Sequence, residues 1–266
     1  MADDPFRSEL DALFIDFRSA LAFLTRIPGS VFGATGERPA FTRAARIFPL
    51  VGGLVGLVGG AVIVVAAALG EPPLIAAGLG VLATMLLTGG MHEDGLADTA
   101  DGFGGGATAE RRLEIMDDSR IGTFGAAALV FSILLRVSAL TALAFATGWR
   151  AAWCLIAAEA VSRAAMVGLW QALPAARVSG MSQETGPPDQ QAMLVGFGIA
   201  AVIALATVIP TVGFAAAIVA TAIAGGVAYA FTRISANAIG GRTGDTLGAC
   251  QQLTAVAFLV TVVAFV

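Results

Sequence analysis

The chain has 266 residues, 57% of them hydrophobic and 13% charged, with a mean hydropathy of +0.85 and a formal net charge of −4. A soluble domain carries about 25% charged residues, so this chain lacks the polar surface to cover a water-exposed fold. All 15 basic residues are Arg and they form no run, which excludes the basic footprint of a nucleic-acid binder.

Residues 8–26 come first. Leu10, Leu13, Phe14, Phe17, Leu21 and Leu24 recur at helical spacing, and Asp11, Asp16, Arg18 and Ser19 fall mostly elsewhere on the wheel. That pattern predicts an amphipathic helix lying at a membrane interface, ended by Pro28 and Gly29. Asp3, Asp4, Glu9 and Asp11 precede any long apolar run, which is unlike a secretory signal.

Apolar blocks of about 20 residues, the length that crosses a bilayer, follow at 48–69, 73–90, 124–147, 151–171, 192–209, 211–231 and 247–266. The expected fold is therefore all-α: a polytopic transmembrane bundle of about seven spans, forming one integral membrane domain over 1–266. Gly52, Gly56 and Gly60 make two overlapping GxxxG steps, which predict close helix packing in the first span. Cys154 and Cys250 lie in apolar stretches and read as small core residues.

Arg placement predicts orientation. Arg7, Arg18, Arg26, Arg38, Arg43 and Arg46 precede the first span, and Arg111, Arg112, Arg120, Arg177, Arg233 and Arg242 fall in loops on the same side. Only Arg150 lies opposite, while Arg136 and Arg163 sit within spans. The positive-inside rule then puts the N-terminus and the 91–123 loop in the cytoplasm and the C-terminus outside. An intramembrane charge is usually paired or functional, and Glu159 stands one turn before Arg163.

The 91–123 loop carries the chemistry. It holds 8 of the chain's 19 acids: Glu93, Asp94, Asp98, Asp101, Glu110, Glu114, Asp117 and Asp118. Asp94, Asp98 and Asp101 are spaced i, i+4, i+7, so a helix places them on one face. Like charges that close call for a hard cation, and Mg²⁺ is the usual one where phosphates are handled. Glu93 adjoins them as a further candidate ligand. The spacing does not fit an EF-hand, and His92, the only histidine, cannot build a zinc site among oxygen ligands.

Downstream, Arg111, Arg112 and Arg120 interleave with the acids and can meet phosphate oxygens. Ser119 and Arg120, in a Ser-Arg-Ile-Gly turn, are the stronger candidates for substrate contact. A third patch, Gly240-Gly241-Arg242-Thr243-Gly244-Asp245, lies on the same side just before the last span. There Arg242 and Thr243 are candidate substrate contacts, and Asp245 a candidate ligand or base.

Several blocks in order resemble the cobalamin synthase (adenosylcobinamide-GDP ribazoletransferase) family. They are Thr25-Arg26-Ile27-Pro28, Phe48-Pro49-Leu50-Val51-Gly52, Gly90 through Gly102 with His92-Glu93-Asp94-Gly95-Leu96-Ala97-Asp98-Thr99-Ala100-Asp101-Gly102, Asp118-Ser119-Arg120-Ile121-Gly122, and Gly241 through Gly248. The resemblance implies a Mg²⁺-dependent transfer that joins adenosylcobinamide-GDP and α-ribazole, or its 5′-phosphate, with loss of GMP. It implies a bacterial inner-membrane enzyme with its site facing the cytoplasm. His92, Asp118 and Asp245 stand as alternatives for the base. Substrates and the lipid bilayer are the expected partners, and a homo-oligomer is left open.

Two other classes share parts of this pattern. A CDP-alcohol phosphotransferase also holds metal with Asp-Gly-x-x-Ala strings, but its motif continues with Arg where Asp98 stands here. An ion-coupled transporter would place such acids near the bilayer midplane, whereas these follow the end of a span.

Overall fold

The computed structural model describes residues 5–28, 41–177 and 186–266. Asp3, Asp4, Gly29 and Arg38 lie outside the described residues, as do the side chains of residues 5–8 and 41. Apart from one isolated β-bridge between Ala175 and Arg242, the regular structure of the described residues is all helical, with no strand.

Eleven α-helices follow in chain order among those residues: α1 (Pro5–Leu24), α2 (Phe41–Ala44), α3 (Phe48–Ala68), α4 (Pro73–Thr88), α5 (Met91–Gly105), α6 (Ala109–Met116), α7 (Thr123–Thr147), α8 (Ala151–Ala172), α9 (Gln190–Val208), α10 (Phe214–Ile239) and α11 (Gly244–Val263). Each of the seven apolar blocks is a helix, and the sixth runs on to Ile239 rather than stopping near 231. Five stretches are long and apolar enough to cross a membrane, or six if the bent pair α4–α5 is one span. One of the five, Thr123–Ala172, is 50 residues long and contains both α7 and α8. At 1.5 Å per residue it would reach about 75 Å, far more than a hydrocarbon core of about 30 Å. Gly148 (φ 64°) breaks it, so α7 and α8 are two separate helices of 25 and 22 residues.

α8 is the hub of the bundle, with 16 of its 22 residues buried. It packs against α3, α9 and α11. The glycine stripe of α3 makes this close: a Cβ on Gly56 would stand 2.6 Å from Ile156 Cα, and one on Gly52 would collide with the Glu159 carbonyl. The outer faces keep large apolar side chains exposed, among them Leu69, Leu86, Phe131, Phe145 and Val202. Such a surface is unfavourable in water and natural in lipid.

α1 buries only the C-terminal half of its predicted apolar stripe. Ala20, Leu21 and Leu24 join Phe48, Val51, Val167 and Trp170 in a buried cluster. Asp16 is buried with them, because Arg43 and Arg46 meet its carboxylate at 2.9 and 2.7 Å. Leu10, Leu13, Phe14 and Ile15 stay exposed.

The bend that matters for function lies between α4 and α5. Gly89 and Gly90 both take left-handed conformations (φ 69° and 71°), which side chains with a Cβ rarely adopt. They end α4 and turn α5 by 89°. The polar α5 thus leaves the line of the span and lies against α7 and α11.

Candidate active site

α5 carries its acids on two faces. His92, Glu93, Leu96 and Ala97 are buried, while Asp94 is exposed and Asp98 and Asp101 are half-buried. The i, i+4, i+7 spacing therefore does put the three aspartates on the outer side of one helix.

Glycines set how closely this helix meets α11. A Cβ on Gly95 would stand 2.8 Å from the Asp245 carbonyl oxygen, and one on Gly248 would be 3.1 Å from His92 Cα. The start of α11 is fixed by a capping box, in which Thr243 Oγ1 accepts from the Thr246 N–H and Thr246 Oγ1 accepts from the Thr243 N–H. Thr243 Oγ1 also donates to Asp245 Oδ2 at 3.1 Å. These contacts bring Asp245 into the acidic group of α5. Burial, and then the charges of Asp94, Asp245 and Asp101, push the Asp98 carboxyl up from 3.8 to about 6.

Asp101 has a partner of its own. Its Oδ2 accepts from the Gly122 N–H at 2.7 Å and its Oδ1 from the Gly125 N–H at 2.8 Å. Gly122 is the N-cap of α7 and has no side chain to cap with, so Asp101 supplies the missing cap from another helix. Among the described residues, no three His, Cys, Asp or Glu side chains converge as a metal site on their own.

Glu93 and His92 face the interior. Glu93 Oε1 accepts from Arg136 Nη2 at 3.1 Å and from Gln252 Nε2 at 3.0 Å. Gln252 accepts from Ser132, and its amide donates to Gln251, which in turn donates to Ser162. Arg163 pairs with Glu159, the partner one turn away. His92 is buried with Nε2 unpaired, and burial, Arg163 and Arg136 hold it well below its usual value, so it is neutral. The structure thus separates Glu93 and His92 from the aspartates they adjoin in sequence.

The arginine candidates are also divided. Arg120 pairs locally with Asp118 at 2.7 Å on an exposed turn, where Ser119 is exposed too. That contact holds the Asp118 carboxyl down at about 2. Arg111 pairs with Glu114, and Arg112 donates to the carbonyls of Gly106 and Ala238. Arg242 is buried over the Trp170 ring and donates from Nε to the carbonyls of Trp170 and Leu173, tying the end of α8 to the start of α11. The residue that spacing did not single out is Arg177. It pairs with Asp117 at 2.9 Å and lies 4.0 Å from Asp245.

The helices and this acidic rim define the class: a multi-pass membrane protein with a polar site gathered at one end of its bundle. The family model for cobalamin-5-phosphate synthase matches residues 16–263. The chain is 47% identical over 256 residues to an adenosylcobinamide-GDP ribazoletransferase of Azorhizobium caulinodans, covering 95% of this chain and 97% of the relative. It is 42% identical over 250 residues to the protein of that name from Brucella anthropi, covering 94% and 96% of the two. For the one from Brucella melitensis it is 41% over 254 residues, covering 95% and 98%. No solved structure is a significant match. The chain belongs to the cobalamin-5-phosphate synthase family, and is a membrane transferase of cobalamin biosynthesis.

Proposed function

We propose that the chain transfers the cobinamide phosphate of adenosylcobinamide-GDP to α-ribazole, or to its 5′-phosphate, giving adenosylcobalamin or its phosphate and GMP. The observation that carries this reading, beside the family, is the gathering of Asp94, Asp98 and Asp245 where α5 crosses the start of α11. A carboxyl raised to about 6, first by burial and then by its acidic neighbours, marks a site where a bound cation relieves like-charge repulsion. Mg²⁺ is commonly held by one or two carboxylates with phosphate oxygens completing its shell, and Asp94 and Asp98 are two carboxylates one turn apart on α5.

Asp94 and Asp98 would hold the ion, which when bound neutralises charge on the diphosphate and the departing GMP. The N-terminus of α11 favours the same anion through its helix dipole. The ribazole hydroxyl oxygen forms the new bond to phosphorus, the bond to the GMP oxygen breaks, and the hydroxyl proton leaves to a base. Of the three candidate bases, His92 faces the interior and Asp118 sits on an exposed turn, whereas Asp245 borders Asp98. Asp245 is therefore the assigned base. The site faces the cytoplasm, as the Arg asymmetry predicts, in the bacterial inner membrane that the family resemblance implies.

The test is turnover by purified protein in liposomes, given adenosylcobinamide-GDP and α-ribazole with and without Mg²⁺. The reading expects GMP and a cobalamin in equal amounts, only with the metal. Folded protein that makes neither product would end it.

A further inference from the structure

Beside the acidic rim lies a cleft of about 470 Å³, lined by Gln171 through Arg177, Gly186, Pro187 and Arg242. Its size falls in the range of small-molecule sites, about 300–1,000 Å³. Its walls are held in place. The Arg242 N–H donates to the Pro174 carbonyl at 2.9 Å, and the Ala176 N–H to the Arg242 carbonyl at 2.8 Å. Trp170 Nε1 donates to the Gly186 carbonyl at 2.9 Å and pins the opposite wall.

Arg177 stands where this cleft meets the site. Its Nη1 pairs with Asp117 at 2.9 Å, and its Nη2 lies 4.0 Å from Asp245 and donates to the Leu113 carbonyl at 3.4 Å. Its Nε is buried and has no hydrogen-bond partner. A buried N–H without an acceptor is costly and rare, and Arg177 itself lines the cleft. Guanidinium offers paired donors that match phosphate oxygens. Arg120, the candidate favoured for its place in the Ser-Arg-Ile-Gly turn, is paired with Asp118 on an exposed turn.

We propose that this cleft is the guanine-nucleotide subsite and that Arg177 is its phosphate contact, exchanging Asp117 for the phosphate of the departing nucleotide. The assignment rests on the ribazoletransferase reading for which nucleotide enters, while the anion contact stands on the geometry. It places the nucleotide on the α8 side of Asp245 and leaves the exposed outer side of α5 for the other substrate.

The experiment uses the full chain in detergent, with GMP as probe and Mg²⁺ present. Binding to wild type, Arg177→Gln, Asp117→Asn and Ala172→Trp is measured by equilibrium dialysis, with AMP and inorganic phosphate as separate arms. KM for each substrate is measured alongside. Removing a charge-assisted contact should weaken GMP binding by about ten- to a hundredfold in Arg177→Gln. KM for adenosylcobinamide-GDP should rise by a similar factor while that for α-ribazole stays within twofold. Asp117→Asn, which removes only the resting partner, should not weaken GMP. Ala172→Trp fills the exposed lip of the cleft and should weaken it.

Wild-type GMP affinity in both Arg177→Gln and Ala172→Trp would overturn the proposal, and so would equal losses in Arg177→Gln and Asp117→Asn. If Arg177→Gln does not fold, Ala172→Trp decides alone. Turnover without detectable GMP binding also overturns it. GMP binding that needs Arg177 in a protein with no turnover keeps the cleft and ends the ribazoletransferase reading instead. Tighter binding of inorganic phosphate than of GMP would reduce the site to an anion contact and overturn the nucleotide assignment.

Discussion

Asp98→Asn should disable the enzyme and stabilise the metal-free fold. The Asp98 carboxyl is pushed up from 3.8 to about 6, first by burial and then by Asp94, Asp245 and Asp101. A shift of that size corresponds to about 3 kcal/mol, since each unit is worth about 1.4 kcal/mol. Asp98 remains partly in contact with solvent, and screening brings the expected effect to about 1 kcal/mol. For a chain of this size that is about 2–4 °C in Tm.

The sign follows from proton linkage. The folded state holds this proton more tightly than the unfolded one, so ionisation destabilises the fold. The penalty is absent below 3.8, grows as pH rises to about 6, and is constant above. The assay is thermal unfolding in EDTA and in excess Mg²⁺ across that range. In EDTA the variant should melt above wild type at pH 7.5 and with it near pH 3.5. Mg²⁺ should stabilise wild type and leave the variant almost unmoved. A variant less stable than wild type in EDTA at neutral pH, or a difference independent of pH, would refute the electrostatic account of this site.

Other changes test other contacts. Arg136→Met strands the buried Glu93 carboxylate and should cost about 3–5 kcal/mol, read as a lower unfolding temperature; Glu93→Gln in the same chain should recover part of it. Gly95→Ala puts a methyl 2.8 Å from the Asp245 carbonyl, so α5 must move off α11. It should cost about 1–3 kcal/mol, with a larger fall in kcat than in KM. Asp101→Ala removes the cap of α7 and should cost about 1 kcal/mol. Because that carboxylate is already engaged, the Mg²⁺ concentration for half-maximal rate should move less than in Asp94→Asn.

What the sequence revealed and what it hid divide along chain distance. The helices were readable because apolar blocks of bilayer length leave few other folds. The stripe of Gly52, Gly56 and Gly60 told of a close neighbour but not that α8 would be it. The face shared by Asp94, Asp98 and Asp101 follows from helical period alone. That Asp101 is spent on Gly122 and Gly125 does not, because those partners lie 21 and 24 residues on. Glu93 looked like a fourth acid of the site, but Arg136, 43 residues away, draws it inward. Arg177 counted only toward orientation, since nothing near it in sequence marks Asp117 and Asp245 as its neighbours. In α1 the apolar stripe was sound as a helix signal, but two arginines outweighed it at Asp16.

The most direct test of the central claim is single-turnover GMP release by wild type and Asp98→Asn, both reconstituted in liposomes and both shown to be folded. The account predicts Mg²⁺-dependent release of GMP matched by cobalamin from wild type, and a rate lower by orders of magnitude in the variant. Equal rates from the two proteins would contradict the placement of the reaction at these carboxylates.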